Sequence, residues 1–96
     1  MSRPANFKFQ LYVAGDTQNS ALAVANLNVL CHDHLLDRHE IEIVDVFREP
    51  MRALAEGIFM TPTLVKLTPA PVKKIVGTLN QMQTVLLALG LESIAA

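Results

Sequence analysis

A single cysteine in 96 residues excludes an internal disulfide and any two-thiol redox motif. Tryptophan is absent and aromatics make up 5% of the chain, so aliphatic side chains must build the core. Charge of neither sign dominates. The net charge of −1 supplies no basic field for nucleic acid or an anionic membrane. No apolar run approaches the ~20 residues that cross a bilayer. The N-terminal stretch "MSRPANFKFQ" is polar and alternating, unlike a secretory signal. Glycine-rich phosphate loops, a Walker loop and a Ser-His-Asp order are all missing. What is present is 51% hydrophobic residues, enough for a folded chain. The expectation is a soluble cytoplasmic protein with a single domain over residues 1–96.

Hydrophobic periodicity gives the elements. "FKFQLYVA", Phe7 to Ala14, alternates and then runs apolar, as a buried strand does. "GDTQNS" offers cap oxygens at Asp16, Thr17, Asn19 and Ser20. A helix is predicted over about 20 to 36. One face carries Ser20, Val24, Leu27, Cys31 and Leu35; the opposite face carries Leu22, Ala25, Val29 and Leu36. A helix apolar all round is either deeply buried or holds a partner outside. Leu22, Ala25 and Val29 are therefore a candidate stripe for self-association or a partner.

"DRHEIEIVDVF" gives a turn and a strand, with Ile41, Ile43, Val44 and Val46 as its core residues. Pro50 suits the first turn of a short helix, and Gly57 suits its end. "TPTLVKL" and "PVKKIVG" are two strands joined by "TPAP". "TLNQMQTVLLALGL" is a last helix, capped by Thr78 or Asn80. The order β-α-β-α-β-β-α defines an α/β, thioredoxin-like fold. The Thr61-Pro62 bond falls where that fold carries a cis proline.

The chemistry of such a fold is missing. Cys31 lies about three turns beyond the helix start, on the core face, and reads as a small buried hydrophobe. Cys31 and His34 share a helix face, but His32 and Asp33 point elsewhere and no full zinc set results. His32 and His34 read as a polar helix end near the negative dipole. Asp45 and Glu49 read as a strand end and a helix-start charge rather than an acid-base pair. Lys73 and Lys74 face opposite sides of a strand and read as solvated edge residues. The expectation is a binding module rather than an enzyme, without cofactor or metal.

"LYVAGDTQNS", "IVDVF", "MTPTL" and "PAPVKKIVGTL", in this order, resemble the KaiB family of circadian clock proteins over essentially the whole chain. A looser resemblance runs to the KaiB-like sensor domain of clock-output histidine kinases, and the expectation is a domain without an attached kinase. The resemblance implies a non-catalytic adaptor that binds a hexameric KaiC-type ATPase in circadian timing or a stress response. In cyanobacteria the captured form also sequesters KaiA. It implies a second packing, β-α-β-β-α-α-β, usually in a tetramer, so a homo-oligomer (dimer or tetramer) is expected. Two packings coexist only when they differ by a few kcal/mol. The resemblance places the switch at Thr61, Pro62, Pro69, Pro71, Ala88 and Gly90. The other reading is a sensing module with a different partner, such as a histidine kinase. A thiol-handling thioredoxin relative is a third, against which the lone cysteine counts.

The resemblance also implies a partner surface at Leu22, Glu42, Gly57, Lys73 and Lys74. Cyanobacterial members tend to be basic at the first three, and only the lysine pair is kept. Such losses alter steering and specificity more than raw affinity. Ala88 and Gly90 stand where the familiar pattern has Gly and Asp. Read as helix positions, the exchange favours the helix by about half a kcal/mol. The acidic tail common in the family is absent.

Overall fold

The computed structural model describes residues 6–91. The N-terminal segment 1–5 and the tail 92–96, on which the leader and tail readings fall, lie outside the described residues. The elements are β1 (Phe7–Val13), α1 (Gln18–His34), β2 (His39–Asp45), α2 (Pro50–Ala55), β3 (Thr63–Thr68), β4 (Lys73–Val76) and α3 (Met82–Leu89). This is the β-α-β-α-β-β-α order read from the sequence, not the β-α-β-β-α-α-β alternative.

The four strands form one sheet in the order β2-β1-β3-β4. β1 runs parallel to β2 and antiparallel to β3, and β3 runs antiparallel to β4. Alternation along β1 sorts its side chains between two layers. Phe7, Phe9, Leu11 and Val13 join Ala23, Leu27, Leu30 and Cys31 of α1 and Val85, Leu86 and Leu89 of α3 in the larger core. Tyr12 points the other way and packs with Val44, Val65, Ala53 of α2 and Ile58. So α1 and α3 cover one face, and α2 covers the other.

Several expectations shift. The buried face of α1 is Ser20, Ala23, Leu27, Leu30 and Cys31, while Val24 is only partly buried. Leu36 lies beyond the helix and is exposed. Ile43 is exposed because β2 is an edge strand with no neighbour beyond it. Neither Thr78 nor Asn80 caps α3. Its N-cap is Gln81, without a side-chain cap bond. The Thr78 carbonyl instead accepts the Asn26 side-chain amide at 2.8 Å, which ties α1 to the start of the α3 segment.

Pro50 does open α2. Gly57 does follow its end, at φ 74°, where only glycine sits without strain. The Thr61-Pro62 bond is cis, as are Thr68-Pro69 and Ala70-Pro71. Gly90 is not a helix position. It is the left-handed C-cap of α3, at φ 77°. Glycine is favoured there, so the helix penalty assigned to Gly90 does not apply, while Ala88 does lie within α3.

Candidate functional site

Three loops meet at the C-terminal ends of β1 and β2: the turn before α1, the Val46–Glu49 turn and the segment Ile58–Pro62 before β3. The sequence builds each locally. Ser20 accepts the Ala14 amide at 3.0 Å and the Thr17 hydroxyl at 2.8 Å, fixing the entry to α1. Asp45 Oδ1 accepts the amides of Gly15 at 3.2 Å and Phe47 at 2.9 Å, tying the first two loops together. A Cβ on Gly15 would come to 3.4 Å from the Phe47 ring. The bare backbone there lets the ring lie close against the first loop.

The resulting surface is apolar. Ala14, Val46, Phe47, Ile58, Phe59, Met60 and Thr61 line a groove of about 240 Å³. Phe47 is 72% exposed, Phe59 86% and Met60 62%. Met51 and Leu54 on α2 are exposed as well. Bulky side chains held this far into water on a small domain mark a contact surface. No cysteine lines it. Cys31 is buried in the core on α1, and burial pushes its thiol up to about 11. A thiol so desolvated is a poor nucleophile at neutral pH. Among the described residues, no three of His, Cys, Asp and Glu come together where a metal ion could sit. His32 and Asp33 meet only each other, at 3.2 Å in the open. His39 Nδ1 lies 2.9 Å from the Leu35 carbonyl.

The five residues expected on the partner surface do not share one face. Glu42, Gly57 and Lys74 lie on the α2 side, whereas Leu22 is on α1 and Lys73 points to the α1 and α3 side with Lys66. Glu42 is not a free acid. Arg52 bonds it, and Gln10 Nε2 donates to it at 3.2 Å. The Arg52 guanidinium, then the Gln10 bond, hold its carboxyl below the usual range. Arg52 also reaches Glu49 at 3.3 Å, and Tyr12 donates to Gln10 at 3.0 Å. An acid where basic residues are familiar is thus matched by its own arginine. Lys74 is occupied too, donating to the Glu56 carbonyl at 2.6 Å.

The stripe of Leu22, Ala25 and Val29 is exposed on the outer side of α1. Thr61 lines the groove and Pro62 follows it, buried; Pro69 and Pro71 lie within the β3–β4 connection, and Ala88 and Gly90 close α3. Sequence reasoning missed the groove. Phe47 reads as the last residue of a strand, and Phe59 and Met60 fall in no predicted element. The available signal was the run Ile58, Phe59 and Met60 between Gly57 and Pro62, outside any periodic pattern.

Comparison with known proteins agrees with this geometry. The family model described as the KaiB domain matches residues 10–91. The circadian clock protein KaiB3 of Synechocystis is 40% identical over 80 residues, covering 83% of this chain and 78% of the relative. The circadian clock oscillator protein KaiB of Cyanothece is 38% identical over 85 residues, covering 88% and 81%. Among solved structures, the N-terminal domain of Synechococcus elongatus SasA superposes with a TM-score of 0.73 at 18% identity, over 97% of this chain and 91% of that one. Chloroplastic thioredoxin z gives a TM-score of 0.73 at 17% identity, over 90% and 78%. These likenesses establish the thioredoxin-like fold. With the model match and the sequence identities, the chain belongs to the KaiB family of circadian clock proteins.

Proposed function

We propose that this chain is a non-catalytic adaptor that docks on a KaiC-type hexameric ATPase and adjusts its cycle in circadian timing or a stress response. One observation carries the reading beyond family membership: beside the start of α1, where a thioredoxin-like fold would hold its thiols, the neighbouring loops present an apolar surface of Phe47, Phe59 and Met60. Aromatic and methionine side chains are the types enriched at the centre of protein interfaces. Burying each of them on a partner is worth about 1.5–3 kcal/mol before the costs of association. The exposed Met51 and Leu54 of α2 extend the surface toward Gly57 and Lys74. Glu42 contributes as a pair with Arg52, so the surface presents less net charge than basic relatives do. The adaptor acts in the cytoplasm, and Leu22, Ala25 and Val29 serve self-association or a second contact. The thioredoxin-like packing is the binding form. A second packing, with its switch at the Thr61–Pro71 segment and the end of α3, forms the resting homo-oligomer.

The test is co-elution with the host's KaiC-type hexamer, in ATP or a slowly hydrolysed analogue, followed over hours. The expected result is a slow shift into the hexamer peak, lost in a Phe59→Ala, Met60→Ala double variant that keeps its thermal stability. Absence of a shift under every nucleotide overturns the assignment of this partner. A search for a different docking protein, such as a histidine kinase, then starts from the same groove.

A further inference from the structure

Of the three lysines of the β3–β4 hairpin, two on opposite faces of the sheet end on a helix terminus. Lys74 on β4 donates from Nζ to the carbonyl of Glu56, the C-cap of α2, at 2.6 Å. Lys66 on β3 reaches the carbonyl of Leu89, the last residue of α3, at 3.5 Å. The last carbonyls of a helix have no partner within it and carry the negative end of its dipole. An ammonium there supplies both the missing donor and the favourable charge.

The surroundings of each lysine fit this use. Lys66 is 3% exposed. It makes no ion pair with an acid among the described residues, and a buried ammonium is costly without a partner. Lys73 lies directly opposite it in the ladder, a like charge that adds to the cost. The Arg38 guanidinium stands over the same Phe7 ring as Lys66, each at 5.9 Å from its centroid. Among the described residues, the carbonyl of Leu89 is the hydrogen-bond acceptor of this ammonium, and the Phe7 ring face is its other electronegative neighbour. On the other face, Lys74 Nζ lies 3.5 Å from where a Gly57 Cβ would be. That is ordinary contact distance, so the two residues are neighbours at the end of α2.

We propose that Lys66 and Lys74 form a paired clamp, through which the β3–β4 hairpin holds the C-terminal ends of α3 and α2 on opposite faces of the sheet. The register of one hairpin then sets the docking of two helices. A slip of one residue turns every β4 side chain to the other face, and carries Lys74 away from Glu56. Lys74 acts through α2 as a positioning residue rather than as a free contact for a partner. The proposal goes beyond the partner reading and does not depend on it.

Amide hydrogen exchange on the full chain tests it. Lys74→Met is expected to accelerate exchange at Glu56, Gly57 and Ile58 by about 2–5-fold, the usual range for a charge at a helix end. The α3 end and β1 should not change. Lys66→Met should act likewise at Gly90 and Leu91 and spare α2. Lys74→Arg should keep α2 protected. No response at the matched helix end, or equal acceleration throughout the chain, overturns the clamp. The unmodified chain gives a check that does not depend on a variant folding. Lysine side-chain nitrogen NMR should show Lys66 and Lys74 ammonium protons that exchange more slowly than those of Lys73. Equal exchange for all three overturns the proposal.

Discussion

The sulfur of Cys31 offers the sharpest test of a binding module against a thiol enzyme. Its side chain is 1% exposed and burial lifts its pKa from 9.0 to about 11. Two units leave roughly 100-fold less thiolate at neutral pH, equivalent to about 2.7 kcal/mol. The same burial shields the thiol from a reagent, and opening α1 would relieve both effects together, so they do not multiply. Iodoacetamide at pH 7.5 should therefore label the native chain about 100-fold or more slower than the chain in guanidinium. The same shift has a consequence for stability. The folded pKa lies above the unfolded one, so nothing is lost below about pH 9. Stability then falls as pH rises from about 9 through 11, by at most about 2.7 kcal/mol. Native labelling within ~10-fold of the unfolded rate, or a thiol that titrates near its ordinary value or below, would refute this reasoning. It would restore the thiol to the list of working groups.

The other predictions are simpler. Gly57→Ala meets only Lys74 Nζ at 3.5 Å, so space permits it and the left-handed backbone does not. The expected loss is about 1 kcal/mol in urea unfolding, and an unchanged midpoint would be contrary to the assigned φ. Glu42 is held below its ordinary pKa by Arg52, so its contribution is present above about pH 4.5 and lost as pH falls. Glu42→Gln should flatten that part of the acid-unfolding curve, and an identical curve would show that the pair does not act. Leu22→Glu with Val29→Glu adds two charges to the exposed stripe without entering the core. Oligomer size by light scattering, or affinity for the hexamer, should fall; if neither moves, the stripe has no such role.

Much of the fold was legible because its signals are local. Phe7, Phe9 and Leu11 alternate, Pro50 and Gly57 bracket α2, and the element order follows from these alone. The phase of α1 was harder to read. Its apolar residues run all the way round, so Val24 and Ala23 are equivalent until the sheet selects a side. Ile43 was assigned inward because periodicity cannot say which strand lies at an edge. Thr78 has the chemistry of a cap, yet its carbonyl is engaged by Asn26, 52 positions away. The groove needs Phe47 and Phe59 to meet, and only the loop geometry around Asp45 and Gly15 brings that about. Lys66 was invisible as a functional residue, since alternation with Leu64 places it inward but names no partner for an ammonium there.

The strand order carries a further consequence. β1 and β2 come from the first half of the chain and β3 and β4 from the second, so the sheet has a single seam, the β1–β3 ladder. The same division runs through the larger core, where α3 side chains interleave with those of α1. The second half is therefore zipped to the first by one ladder and one shared cluster. Freeing α3 would uncover α1, and freeing β3 would strip a whole side of β1, so the halves are coupled through both the sheet and the core.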